Sequence, residues 1–264
     1  MKIDLNKYDL VVVNSSGGKD SVCALYMIVS MAKHQKFPLS RIKVSHQDLG
    51  DMEWKGTKEL VKKQAAMFGL FVEIEKRIDK NGYAEDLLEY VERRGMWPSR
   101  NQRYCTSDFK RAPGDKVIRR LSNKIDAKRV LSVFGFRKEE SPQRAKKKRL
   151  SLIKRLTTNT REVYECNPIL HWTTDRVWSC INNHSLPYHD AYAKGMPRLS
   201  CIFCIFSPFD ALVVAGKENP ELLDRYVEVE KKIGHTFRNE FSISEVKQAI
   251  ENNYKPKRIA NWVM

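Results

Sequence analysis

A polar loop caught between an apolar run and a helix constrains this chain more than any other feature. Leu10-Val11-Val12-Val13 is apolar at every position, which predicts a strand buried on both faces, as in a parallel sheet. Ser16-Gly17-Gly18-Lys19-Asp20-Ser21 follows it, and the run from Val22 to Val29 predicts a packed helix. A glycine pair at such a junction lets the backbone close on a ligand and turn its N–H groups inward. The helix start behind it offers unpaired N–H groups and the positive end of the dipole. Lys19 adds a full charge, and Ser15, Ser16 and Ser21 add hydroxyl donors. Residues 16–21 are therefore candidates for holding a pyrophosphate or a similar anion. The G-x-x-x-x-G-K-[ST] spacing of a Walker A loop is absent.

Short strands then alternate with helices. Strands are expected at 41–46, 71–74 and 129–134, with an amphipathic helix over 58–68 whose inner face is Leu60, Val61, Ala65 and Phe68. A further helix is expected at 116–121. This order predicts an α/β fold with a doubly wound, mainly parallel sheet and right-handed crossovers. The region after 205 predicts helices, one over 220–232 and a last one capped by Ser244, so the expected division is 1–205 and 206–264.

In such a sheet, ligands lie beyond the carboxyl ends of the strands. Three stretches fall there. Asp48, before Leu49-Gly50, is placed to meet a ribose, a magnesium ion or the helix that follows. Gly135 lets backbone approach a ligand at the end of its strand, and Arg137 and Arg144 carry planar forks suited to phosphate. Lys146-Lys147-Lys148-Arg149 and Lys154-Arg155 form a basic tract beside them, which is either a solvated face or a nucleic-acid-facing patch. Tyr90, Trp97, Arg100, Arg103 and Tyr104 mix rings and cations in a Gly/Pro-punctuated stretch, either as a base clamp or as ordinary loop packing. His184 and His189 sit among aromatics and are expected to pack.

The chain carries 48 Lys+Arg against 32 Asp+Glu, a net charge of +16. One small anion does not need that; a nucleic acid would exploit it through phosphate neutralisation. No apolar run approaches the ~20 residues of a membrane span, and no signal-peptide core opens the chain, so a cytoplasmic protein is expected. Six cysteines in that setting are thiols or metal ligands rather than disulfides. Cys201-Ile202-Phe203-Cys204 is a half-site for a soft metal or an iron–sulfur cluster, or else a redox dithiol. Cys23 is expected in the core.

Taken together, these stretches resemble the PAPS reductase family of PP-loop ATP pyrophosphatases. The resemblance rests on SGGKDS at 16–21, Asp48-Leu49-Gly50, the segment from Cys105 to Pro113, GFRKEES with Arg144, the segment from Pro168 to Trp178, and Leu186-Pro187-Tyr188-His189 leading into Cys201 and Cys204. It implies an adenine nucleotide alpha hydrolase-like fold with ATP and magnesium over the strand ends, and Lys19, Asp20 and Arg137 as catalytic residues. It also implies a 4Fe–4S cluster, or zinc in its place, on Cys105, Cys201 and Cys204. Tyr104 stands where cluster-bearing reductases have a second adjacent cysteine, so the fourth position falls to Cys166, to Cys180, or to no residue at all. No cysteine follows Cys204, whereas the reductases use one in a C-terminal motif.

The expected function is adenylation of a nucleic acid for sulfur insertion, with sulfur supplied by a donor protein. The alternatives are sulfonucleotide reduction, and a non-catalytic nucleotide- or nucleic-acid-binding module with structural zinc.

Overall fold

The computed structural model describes residues 3–257 and 259. In chain order the strands are β1 (Leu10–Asn14), β2 (Ile42–Gln47), β3 (Val72–Glu75), β4 (Arg129–Val133), β5 (Leu150–Leu152) and β6 (Glu162–Cys166). The helices are α1 (Lys19–His34), α2 (Thr57–Ala66), α3 (Leu87–Arg94), α4 (Tyr104–Thr106), α5 (Ala112–Lys124), α6 (Pro142–Ala145), α7 (Thr174–Asn183), α8 (Phe209–Glu218), α9 (Pro220–Ile233) and α10 (Ile243–Glu251). A single π turn, Ser107–Arg111, joins α4 to α5.

The strands form one sheet in the order β3-β2-β1-β4-β6-β5. Every pairing is parallel except that of β5 with β6. The expected doubly wound, mainly parallel sheet is thus present. β1 lies inside it, and its alternation sorts its side chains to two layers. Val11 and Val13 join a core with α1, α2 and α7, while Leu10 and Val12 join another with α5. Burying one such side chain is worth about 1.5–3 kcal/mol, so four in succession commit this run to a sheet interior.

The chain packs as two compact units that interleave in sequence. The first comprises Met1–Asp48, Gly56–Glu75 and Pro113–His189; the second comprises Leu49–Lys55, Lys76–Ala112 and Asp190–Met264. The sheet belongs to the first. The second is helical and has its own core, in which Met52, Leu88, Val91 and Trp97 pack with Leu212, Tyr226 and Val246. The expected boundary at 205 therefore does not coincide with the packing, because segments 49–55 and 76–112 find their apolar partners after residue 190.

Most expected elements stand within two residues of where the sequence put them. The helix expected at 116–121 starts earlier, at Ala112. The last helix is capped by Ser242, which accepts from Glu245 N–H at 3.0 Å in a capping box, and not by Ser244. Ser244 instead gives its N–H and hydroxyl to the buried carboxylate of Glu230, at 3.1 and 2.9 Å. Residues 258 and 260–264 of the expected helical tail lie outside the described residues.

Candidate functional site

In the first unit, β1 ends at Asn14, whose amide donates to Ser132 Oγ at 3.0 Å and to the Val133 carbonyl at 3.1 Å, fixing the ends of β1 and β4 together. The loop that follows is held from behind. Gly17 adopts φ +73°, a left-handed conformation suited to glycine. Its carbonyl accepts from Gln64 Nε2 at 3.2 Å, and the Ser15 carbonyl meets His46 Nδ1 at 3.0 Å. Gln64 is fully buried and also donates to the Pro187 carbonyl at 2.9 Å. These contacts tie the loop's carbonyls to the scaffold, and the Gly17 N–H donates to Ser15 Oγ at 3.3 Å. Gly18 is the N-cap of α1, and no side chain caps it. Ser21 Oγ donates to the Gly18 carbonyl at 2.8 Å and lies 3.5 Å from Ser15 Oγ. Ser16 is exposed.

Gly135 is what permits α1 to start here. A Cβ on it would sit 2.6 Å from the Asp20 carbonyl oxygen and 2.9 Å from Ser21 N. The first turn of α1 therefore rests directly on the backbone that leaves β4. Gly135 approaches a neighbouring main chain, where a ligand was expected.

The charged groups form a chain. Lys19 is 2% exposed, and its Nζ lies 3.3 Å from Asp20 Oδ2. Asp20 Oδ1 accepts from Arg137 Nε at 2.6 Å, and Arg137 Nη1 is paired with Glu139. Arg137 is fully buried, so its fork is engaged by carboxylates rather than presented to a phosphate. Its N–H donates to Glu140 Oε2 at 2.8 Å, and Glu140 pairs with Arg144, whose guanidinium lies 4.6 Å from the centre of the Phe136 ring. Glu139 is held below the usual carboxylate range: burial would raise it, and hydrogen bonds from Thr174 and Arg137 outweigh that. Asp48 pairs with Lys58 of α2 at 3.0 Å, so its side chain reaches the helix that follows.

The basic tract is divided. Lys147 pairs with Glu165 at 2.6 Å, and Arg155 forms a two-point pair with Asp115 at 2.8 Å through each nitrogen. Lys146, Lys148 and Lys154 are exposed.

The six cysteines part between the units. Cys23, Cys166 and Cys180 are buried in the first. Cys23 Sγ donates to the Val177 carbonyl at 3.6 Å, and burial pushes the Cys166 thiol up to about 12. All three sit in apolar packing, which leaves neither Cys166 nor Cys180 suited to an iron. Cys105, Cys201 and Cys204 lie in the second unit, and all three act electrostatically on the Lys110 ammonium, Cys201 most, which holds it above the ordinary lysine value. Burial raises Cys204 to about 11, and Cys201 and Lys110 act on it in opposite senses. Among the described residues no group of three or more His, Cys, Asp or Glu is placed to hold a single metal ion. Cys105 sits on α4 and Lys110 within the π turn, whose Ala112 N–H bonds the Ser107 carbonyl five residues back. Such turns commonly mark functional positions in helices.

The structure resolves the aromatic–arginine stretch in favour of packing. Trp97 is 3% exposed and stacks on Tyr226 with 5.3 Å between centroids. Tyr90 and Tyr104 are buried beside it in the same core. His184 stacks on Tyr26 at 4.1 Å.

Sequence reasoning passed over Gln64, His46 and Lys110. Gln64 had a signal, since it falls in the apolar stripe of Val61, Ala65 and Phe68, where an uncharged polar residue needs a buried partner.

The phosphoadenosine phosphosulfate reductase domain model matches residues 10–207. An uncharacterized protein of Methanocaldococcus jannaschii is 28% identical over 236 residues, covering 87% of this chain and 50% of its own length. The chain thus spans about half the length of that relative. The adenosine 5′-phosphosulfate reductase of Shouchella clausii is 34% identical over 70 residues, 26% of this chain and 27% of that one. Among solved structures, the phosphoadenylyl-sulfate reductase of Candida auris in its phosphate complex aligns at 19% identity and TM-score 0.47, over 72% of this chain and 80% of that one.

Proposed function

This chain belongs to the phosphoadenosine phosphosulfate reductase domain family, and from that premise we propose that it is an ATP pyrophosphatase that adenylates an oxygen on a nucleic acid for replacement by sulfur. The observation that carries this reading is a helix start at Gly18 that no side chain caps, behind the Ser16–Ser21 loop, in a chain whose Cys105, Cys201 and Cys204 all act on the Lys110 ammonium. The net charge of +16 supports a polyanionic acceptor.

In this reading the acceptor oxygen attacks the α-phosphorus of ATP. The bond to the bridging oxygen breaks, and pyrophosphate leaves toward the start of α1. The helix start at Gly18, which no side chain caps, turns its positive dipole end there, and the Lys19 ammonium neutralises the departing charge. Ser16 adds an exposed hydroxyl, and Ser21 braces the loop through the Gly18 carbonyl. Asp20 and Arg137 act as positioning residues, which keep Lys19 and the first turn aligned. Arg144 steadies the strand-end segment through Glu140, and Asp48 steadies α2 through Lys58. Magnesium arrives on the ATP as part of the substrate.

Cys105, Cys201 and Cys204 are soft, half-buried donors of the kind an iron–sulfur cluster takes, and Lys110 opposes the burial that raises Cys105 and Cys204. When bound, a 4Fe–4S cluster supplies an iron that handles sulfur. Cys105, Cys201 and Cys204 would hold it, with Lys110 beside them. A sulfur donor protein completes the scheme.

The test joins two measurements on anaerobically purified protein: pyrophosphate release from ATP with and without nucleic acid, and the visible spectrum with iron and sulfide assay. Release together with a broad band near ~400 nm that is lost in Cys201→Ser is the expected result. Colourless protein holding one zinc, with no release, overturns it in favour of a binding module.

The stretch shared with adenosine 5′-phosphosulfate reductases favours a second reading, sulfonucleotide reduction. Sulfite release from a sulfonucleotide, with no pyrophosphate from ATP, would select it.

A further inference from the structure

The proposed activity requires a nucleic acid to reach the thiols, and the unit that carries them has a surface suited to hold it. From residue 93 to residue 111 the cations are Arg93, Arg94, Arg100, Arg103, Lys110 and Arg111, and Asp108 is the lone carboxylate. Asp108 is occupied, accepting from Tyr90 Oη at 2.7 Å and Ser107 Oγ at 2.6 Å. Arg93 is claimed by Glu85 at 2.8 and 3.1 Å.

Four arginines remain. Among the described residues, Arg94, Arg100, Arg103 and Arg111 have no carboxylate within ion-pair distance. Arg94, Arg100 and Arg111 are exposed. Arg94 lies over the Tyr104 ring with 4.6 Å to its centre, and Arg103 over the Phe206 ring with 4.8 Å. A guanidinium laid on a ring is already ordered, so it loses less freedom when it grips a phosphate. Arg103 Nε is buried without a hydrogen-bond partner. Arg103 and Tyr104 immediately precede Cys105, so these forks flank a thiol-bearing segment.

The rings themselves are not available to bases. Tyr90, Trp97 and Tyr104 are buried. With those three rings withdrawn, the segment offers its charge in planar forks, which suits the phosphates of a paired helix. We infer that Arg94, Arg100, Arg103 and Arg111 form a docking surface for the phosphodiester backbone of a base-paired nucleic acid. The inference rests on the nucleic-acid acceptor proposed above and adds where that acceptor is gripped and in what form.

The test is fluorescence-anisotropy binding of the full chain to a labelled RNA hairpin, a labelled DNA duplex and an unpaired strand, across a salt series. The variants are Arg94→Glu/Arg103→Glu and, should that pair disturb folding, Arg94→Gln/Arg103→Gln; Lys146→Glu/Lys148→Glu reports on the basic tract of the first unit. The expected result is that a paired probe binds more tightly than the strand. The arginine pair then weakens paired binding about ten-fold or more, equally for unrelated sequences, and the log–log salt slope falls by about two. Wild-type binding with an unchanged slope in the folded arginine variants overturns the inference while leaving the acceptor reading intact, as does a preference for the unpaired strand. No binding of any probe by the wild type overturns both.

Discussion

Asp20 Oδ1 and Arg137 Nε are 2.6 Å apart although 117 residues separate them in sequence. One member sits in the first turn of α1 and the other just beyond β4. Their pairing makes the anion loop depend on a strand that is neither its predecessor nor its successor in the chain.

Arg137→Ala leaves Asp20 and Glu139 facing each other without their shared cation. Breaking a buried pair from one side costs about 3–5 kcal/mol, and the partial exposure of both carboxylates places this variant at or below the lower end. Urea unfolding at neutral pH measures it. The double variant Arg137→Met/Asp20→Asn should recover part of the loss; no recovery would mean that the guanidinium acts through packing alone.

Gly135→Ala forces a Cβ to within 2.6 Å of the Asp20 carbonyl oxygen, a contact with main chain that no side-chain rotation relieves. The expected cost is about 1–3 kcal/mol of stability, accompanied by weaker ATP binding as the first turn of α1 shifts. Calorimetric titration with a non-hydrolysable ATP analogue reads the second effect. Gly50→Ala is the control, because nothing lies within 4 Å of its Cβ and only its φ of +61° is strained.

Gln64→Leu removes the buried donors to the Gly17 and Pro187 carbonyls. An unmade buried hydrogen bond costs about 1–3 kcal/mol. The loop loses its rear anchor, so the KM for ATP should rise about ten-fold while kcat for pyrophosphate release changes little. A fall in kcat at constant KM would show that Gln64 serves the chemical step instead.

Glu75 supplies a pH dependence. Burial would raise its pKa, but hydrogen bonds from Lys116 at 2.7 Å and Arg120 at 2.6 Å outweigh that and hold it below the ordinary value. A carboxyl depressed in the folded state adds stability that is fully present above its unfolded pKa and is lost as pH falls through the folded one. Glu75→Gln should therefore cost about 1 kcal/mol at neutral pH, kept small because both cation heads are exposed. The difference from wild type should shrink in acid. Unfolding curves at a series of decreasing pH values check it, and a difference that stays constant would assign the loss to shape rather than charge.

The sheet was legible because Leu10–Val13, Ile42/Val44 and Val130–Val133 carry strong apolar patterns that burial alone decides. β5 and β6 were not, since Leu150-Ser151-Leu152 is three residues long and adjoins a basic tract, and Glu162–Cys166 places two glutamates in a strand. Those glutamates are tolerated because Glu162 is exposed and Glu165 reaches Lys147. Of the candidate site, the anion loop was legible as a motif, while its anchors were not. Gln64 and His46 act through carbonyls of distant residues, and only the folded chain says which carbonyls those are. Arg137 was legible as a fork-bearing arginine beyond a strand end, but its pairs with Asp20 and Glu139 were not.

The interleaving of the two units bears on how the chain can be made. β6 and α7 complete the first unit, so β4 has only β1 beside it until residue 166 has emerged, and the unit does not close before His189. Segments 49–55 and 76–112 must meanwhile wait, apolar and unpaired, for partners synthesised after residue 190. On a ribosome adding ~5–20 residues per second, that delay lasts several seconds. Nascent chains of this protein should therefore hold Met52, Trp54, Leu88 and Trp97 open to solvent longer than an uninterrupted domain would, which makes them natural clients for a holding chaperone and poor candidates for truncation at any internal point.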